Sequence, residues 1–207
     1  MPLSISLNRF QADIAQCDQL MANAHASDAN GSPILPAADR RQITIAALLN
    51  AYISWETFLE SSLVAFMMGE PTLGGTPPIK YVAPPTEPAA LEMITGTQRY
   101  FDFGNPDYVR KIVRVFFKDG YPYEPPLSSI TSEWADIRTM RNASAHMTST
   151  TQKALDALAL RIFSSPAAGV DLYQLLTSPD PRSTTGETVV VAYENKLVSA
   201  AQLIAQG

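Results

Sequence analysis

Arg141 and His146 stand five positions apart in the run MRNASAHM, residues 140–147. An arginine holds a phosphate through two parallel N–H bonds of its guanidinium fork. A histidine takes or gives a proton near neutral pH, because its unperturbed pKa is about 6.5. Asn142 lies four residues before His146 and shares its helical face, where its amide can hold a ligand or the arginine. Together the three side chains suit a phosphodiester, and the chemistry needs no metal. His146 is one of two histidines in the chain. The other, His25, precedes the turn-rich stretch ASDANGSPILP (26–36) and reads as a solvated loop or helix-end residue.

The elements that must position these groups read as helices. Residues 127–145, LSSITSEWADIRTMRNASA, carry Ile130, Trp134 and Ile137 on one face, and the next position on that face is Arg141. An arginine within an apolar stripe is costly unless a carboxylate partners it. The strongest helix covers 37–69, with no internal Gly or Pro and a stop at Gly69. At ~1.5 Å per residue it spans close to ~50 Å, the length of a bundle spine. Its stripe is Ile45, Leu48, Leu49, Tyr52, Leu59, Leu63 and Met67, with Glu56 near the centre and Glu60 toward the edge. Glu56 is therefore expected to face Arg141, either as a buried structural ion pair or as a carboxylate that orients a catalytic arginine.

Further helices are expected over 4–24 and 150–163, and over 107–117 after a cap at Asn105 with Pro106 in the first turn. Arg110, Lys111, Arg114 and Lys118 make this the most basic neighbourhood, ordinarily a solvated face and here also a candidate phosphate-contacting face. Residues 71–88 are a proline-rich loop, read first as a passive connector and second as a docking or covering loop. Residues 119–126, DGYPYEPP, form a second break. ETVVVAYE (187–194) carries the strand signal, followed by a terminal helix in NKLVSAAQLIA.

Composition narrows the function classes. The chain of 207 residues is 46% hydrophobic, enough for a sizeable core, and only 17% charged, below the roughly 25% of a typical soluble domain. That balance favours contact with a partner or a second subunit. A net charge of −5 argues against a free-standing non-specific nucleic-acid binder, though it leaves room for a small basic cleft. Cys17 is the sole cysteine, so no intramolecular disulfide forms, which fits a reducing cytoplasm. It reads as a buried helical thiol and not as a nucleophile. HExxH, CxxC and glycine-rich phosphate-loop spacings are all absent, so neither a metal nor a cofactor is expected. No apolar run reaches the ~18 residues of a membrane span, and the first residues lack the basic start and apolar block of a secretory signal.

RNASAH, Arg141 to His146, resembles the Arg-x4-His motif of the HEPN superfamily in its bacterial form, Arg-Asn-x-x-Ala-His. AYISWETFLESSLVAFM (51–67) is similar to the long second helix of bacterial HEPN proteins, with its aromatic–acidic pair. The likeness covers the four main helices, but not the proline-rich insert or the tail after about 165. It implies a helical bundle that dimerises and brings two motifs into one cleft. Active members are metal-independent endoribonucleases. On that reading His146 is the general acid or base, and a 2′-hydroxyl attacks the adjacent phosphate to leave a cyclic phosphate end. Arg141 stabilises the transition-state charge, Asn142 positions substrate or motif, and Glu56 orients Arg141. Arg138, Arg110, Lys111 and Arg114 are the candidate RNA contacts. One toxin branch of the family has a modified tyrosine two residues after the histidine; Thr148 stands there, so that regulation is not carried over.

The expected architecture is all-α: an HEPN-like bundle of four to five helices over 1–165, with a long second helix, a 71–88 loop and an inserted helix over 105–118. Residues 166–207 are expected to form a strand-plus-helix appendage packed on the domain or on a partner subunit. The leading functional expectation is a cytoplasmic homodimeric endoribonuclease, away from any membrane, in a toxin–antitoxin or phage-defence setting with a partner protein. The alternatives are a catalytically inactive HEPN module that binds RNA, a nucleotide or a protein, and a purely structural bundle.

Overall fold

Helix signals dominate the chain, and a computed structural model, which describes residues 1–166 and 168–207, follows them. The described residues form nine α-helices and one short 3₁₀ turn, Lys118–Gly120. These are α1 (Leu3–Ala24), α2 (Ala37–Met68), α3 (Glu87–Thr95), α4 (Pro106–Phe116), α5 (Glu124–Ser129), α6 (Thr131–Ala145), α7 (Ser149–Phe163), α8 (Leu172–Thr177) and α9 (Val189–Gln206). Extended pairing among them is limited to three isolated bridges. No helix among the described residues is long and apolar enough to cross a membrane.

The ends of α2 show why it starts and stops where it does. Asp39 in the first turn suits the positive helix end. Gly69 takes φ +99°, which glycine adopts at little cost. Gly69 N–H then bonds to Phe66 O at 3.0 Å and Glu70 N–H to Ala65 O at 3.0 Å, closing a Schellman motif. Lys80 Nζ adds a 2.7 Å bond to Met67 O. The same lysine sits where the proline-rich loop pairs with Phe117, through Tyr81 N–H to Phe116 O and Lys118 N–H to Ile79 O, both 2.8 Å. Leu73 N–H bonds to Ala205 O at 2.7 Å, and a Cβ on Gly74 would stand 2.6 Å from Gln206 O. These anchors make the loop a pinned connector.

Contacts divide the chain into two units. The first comprises Met1–Gln11, Ser54–Ala135 and Lys196–Gly207. Its centre is aromatic. Trp55 packs on Phe10 at 5.8 Å and edge-on to Trp134 at 5.5 Å, and all three are at most 1% exposed. Phe66, Phe117 and Tyr123 form a second cluster, where the buried Tyr123 hydroxyl donates to Ser62 Oγ at 2.9 Å. The Asn105 cap is present: Oδ1 accepts from Asp107 and Tyr108 N–H, with Pro106 in the first turn of α4.

The second unit comprises Ala12–Ile53 and Asp136–Asn195. Ile137, Met140, Leu155, Leu158, Leu172, Leu176 and Val189 are among its buried residues. Asp136, 8% exposed, accepts from the Tyr193 hydroxyl at 2.9 Å and from Arg161. Arg182 lies over the Tyr193 ring, 5.2 Å from its centroid, and makes two bonds to Asp180 at 2.9 and 2.7 Å.

The strand expected over 187–194 does not form. Thr188 makes only a bridge to Pro179, and Val189 begins α9. Val189, Val190, Tyr193, Leu197, Ala200, Ala201 and Ile204 are all buried. Their spacing of three and four is helical, and it overrides the β preference of three consecutive valines.

Glu194 lies on that buried face, 3% exposed, with no donor to either carboxyl oxygen. Burial, and then the facing Asp18 carboxyl, hold its pKa well above the usual carboxylate range. The folded state therefore keeps a proton that the unfolded chain loses above its ordinary pKa of about 4.3. The sign follows: the contribution is full below that pH and declines as pH rises toward the folded value. Asp18, Cys17 and Asp13 are the titratable neighbours of this region. Glu194→Gln is expected to flatten this decline and to be more stable than the parent near neutral pH. Urea unfolding midpoints across acid to neutral pH check it.

Candidate functional site

The site is built where α6 ends. His146 N–H bonds to Asn142 O at 3.1 Å, so the histidine completes the last helical turn after Ala145. Ser144 Oγ donates to Arg141 O at 2.6 Å and satisfies a carbonyl of the last turn. The chain then turns through Met147 into α7. Thr148 is the N-cap: its Oγ1 accepts from Thr151 N–H at 3.2 Å, and its own N–H donates to Thr151 Oγ1 at 2.7 Å. Thr151 Oγ1 also reaches His146 O at 2.8 Å. His146 is thus held on a short turn fixed from both sides.

The side chains at this end point to solvent. Arg141, Asn142 and His146 are all exposed, and so is Met147 at 52%. Arg141 Nη1 makes a long 3.3 Å bond to Asn142 Oδ1. The arrangement offers a guanidinium, an amide and an imidazole along one helix end, where a phosphate of an extended chain can reach them. None of the three packs in the core.

The expectation that Arg141 lies in the apolar stripe is corrected. The buried residues of α6 are Trp134, Asp136, Ile137, Met140 and Ala143. The stripe passes through Met140, at 0% exposure, and leaves Arg141 outside. The desolvation that called for a carboxylate opposite Arg141 is therefore absent. Glu56 is half-buried on α2, beside the fully buried Trp55.

The remaining candidates separate. Arg138 is half-buried on α6, one turn before Arg141. Arg110 and Arg114 both bind Glu124 Oε1 at 2.5 Å, and Arg110 also meets Thr131 and Ser128. Burial alone would raise the Glu124 pKa, but the two arginines outweigh it and hold the carboxyl below its ordinary value. These guanidinium groups thus have a local structural role. Lys111 and Lys118 are exposed. Cys17 is 3% exposed, and burial, then Glu194, Asp18 and Asp13, push its thiol up to about 11, so it stays protonated. Among the described residues no group of three or more His, Cys, Asp and Glu side chains could hold a metal ion.

Thr148 explains a departure noted in the sequence: it is the cap that the turn requires. Thr148→Ala is expected to cost roughly 1 kcal/mol and to loosen the turn carrying His146. Thermal denaturation and the His146 imidazole proton signals measure the two effects.

Two features escaped the sequence reading. His25 is exposed directly after α1, as expected, but it also stacks on Tyr173, with ring centroids 5.8 Å apart, and pairs with Thr44. Asp18 and Glu194 form a facing carboxyl pair. A carboxylate in the middle of VVVAYENKLV was the available signal for the latter. Comparison with protein-family models, with curated proteins and with solved structures finds no match to this chain.

Proposed function

We propose that the chain is a metal-independent endoribonuclease of the HEPN type, acting as a homodimer that joins two Arg141–His146 motifs. The carrying observation is that Arg141, Asn142 and His146 are exposed together at the C-terminal end of α6, just before the capped start of α7, with no packing role there. In this reading one His146 takes the proton of an RNA 2′-hydroxyl as its oxygen bonds to the neighbouring phosphorus. The partner copy's imidazolium protonates the departing 5′-oxygen. Arg141 binds the non-bridging oxygens as their charge grows, and Asn142 steadies the guanidinium. Arg138 is the proposed phosphate contact preceding the motif. The setting proposed is cytoplasmic, in a toxin–antitoxin or phage-defence system with a partner protein that restrains or triggers it.

Incubation of a mixed RNA panel in EDTA tests the chemistry. Products ending in cyclic phosphate are expected; products ending in a free 3′-hydroxyl contradict the mechanism. A second reading, an inactive HEPN module that binds RNA, a nucleotide or a protein, is favoured by one observation. The chain carries a net charge of −5, and Arg110 and Arg114 share Glu124, which leaves little free positive charge on that helix. Retained RNA affinity without turnover is the result that selects it.

A further inference from the structure

A cavity of about 490 Å³ opens in the second unit, lined by residues that include Asp18, Met21, Ala22, His25, Val190 and Val191. Its size lies within the range of small-molecule sites, and its wall is mostly apolar with a few polar groups. Its polar lining is Asp18, His25, Thr44, Thr177 and Thr188, and all but Thr188 present acceptors; Thr177 Oγ1 donates its proton to Tyr173 O at 2.8 Å. Thr44 Oγ1 donates its single proton to Arg40 O at 2.9 Å, so at 3.0 Å it accepts from His25 Nε2. Burial, and then Arg40, depress the His25 pKa and keep the ring neutral, which leaves Nδ1 as an acceptor. Asp18 Oδ1 is buried without a donor. Behind it, Glu194 is 3% exposed and both its oxygens lack donors, though its carboxyl meets that of Asp18 within hydrogen-bonding range. Two carboxyl groups facing each other have no donor if both are ionised and one bond if they share a proton. The second state is the physical one here, because an unpaired buried charge is too costly. The lining thus presents acceptors in excess over a buried carboxyl pair, and Arg40, the cation that acts on His25, is not among the lining residues.

We propose that this cavity binds a small organic cation, an ammonium or amidinium on an aromatic or aliphatic body. Its N–H groups meet the Asp18 carboxylate and His25 Nδ1, and its body lies against Met21, Val190 and Val191. The inference is independent of RNA cleavage at the α6 end.

Benzamidinium is a suitable probe, with neutral benzamide and anionic benzoate as isosteric controls. Titrations followed by calorimetry and by methyl NMR signals of Met21, Val190 and Val191 read the site. Saturable benzamidinium binding is expected, at least ~10-fold tighter than benzamide and with no response to benzoate. Asp18→Asn is expected to weaken it by ~10-fold or more. Ala22→Trp, a change at an exposed position of α1 that leaves both carboxyls in place, is expected to block entry. Equal binding of benzamide, undiminished affinity in either variant, or no saturable binding to the folded parent would overturn the proposal.

Discussion

His146→Ala is expected to lower RNA cleavage by about 10²–10⁴-fold, the usual contribution of a positioned general acid or base. Arg141→Ala is expected to cost about 10²–10³-fold through lost charge stabilisation in the transition state. Arg141→Lys should rescue little of it, because a point charge does not replace a bidentate fork. Both positions are exposed and outside the core, so stability should change by no more than about 0.5 kcal/mol. The separation of the two readouts carries the argument. A residue that served the fold would lower both; these should lower only turnover. Cleavage rates on a labelled RNA, beside urea unfolding of the same preparations, give the answer. A variant that unfolds early and loses activity in proportion speaks for a structural role.

Trp134→Ala is expected to have the largest effect on stability, about 3–5 kcal/mol, against the roughly 5–15 kcal/mol that holds an ordinary domain together. Trp134 is fully buried, and its ring meets Trp55 edge-on at 5.5 Å. The substitution removes the largest side chain of α6 and opens a void that close-packed neighbours fill only in part. Trp134 Nε1 has no acceptor, so part of what the indole contributes is already offset by a stranded donor. Trp134→Phe should therefore cost much less than alanine, because it keeps a ring and deletes the stranded N–H. Circular dichroism unfolding curves compare the two. Similar losses for Phe and Ala would mean that the indole shape, and not its apolar bulk, is what the core requires.

The elements that the sequence announced most clearly have both a period and an end signal. The long helix lacks internal breakers and stops at a glycine that takes positive φ. Asn105 followed by Pro106 marked the start of α4, and both do what the pattern requires. Elements were lost where one signal masked another. Three valines in a row read as a strand, while the burial period that continues into the last helix was split in two. Arg141 was misplaced for a different reason. The stripe was centred on Trp134 and Ile137, but the buried residues of α6 also include Asp136, Met140 and Ala143. At about 100° per residue these five cover an arc of roughly 180° with Trp134 at its edge. Arg141, about 20° from Trp134 on the same count, therefore falls at the boundary of the buried face and is exposed. The motif itself was legible as chemistry, since its residue types do not depend on that phase. The pairing of Asp18 with Glu194 was not legible, because it joins two helices remote in sequence.

The most direct test of the ribonuclease reading is cleavage of RNA in EDTA by the purified protein, beside His146→Ala prepared identically and shown to unfold at the same urea midpoint. The account predicts that the parent cuts and leaves cyclic phosphate ends while the variant does not. Equal cleavage by both proteins would assign the activity to something other than the residues at the end of α6, and no cleavage by either would contradict turnover altogether.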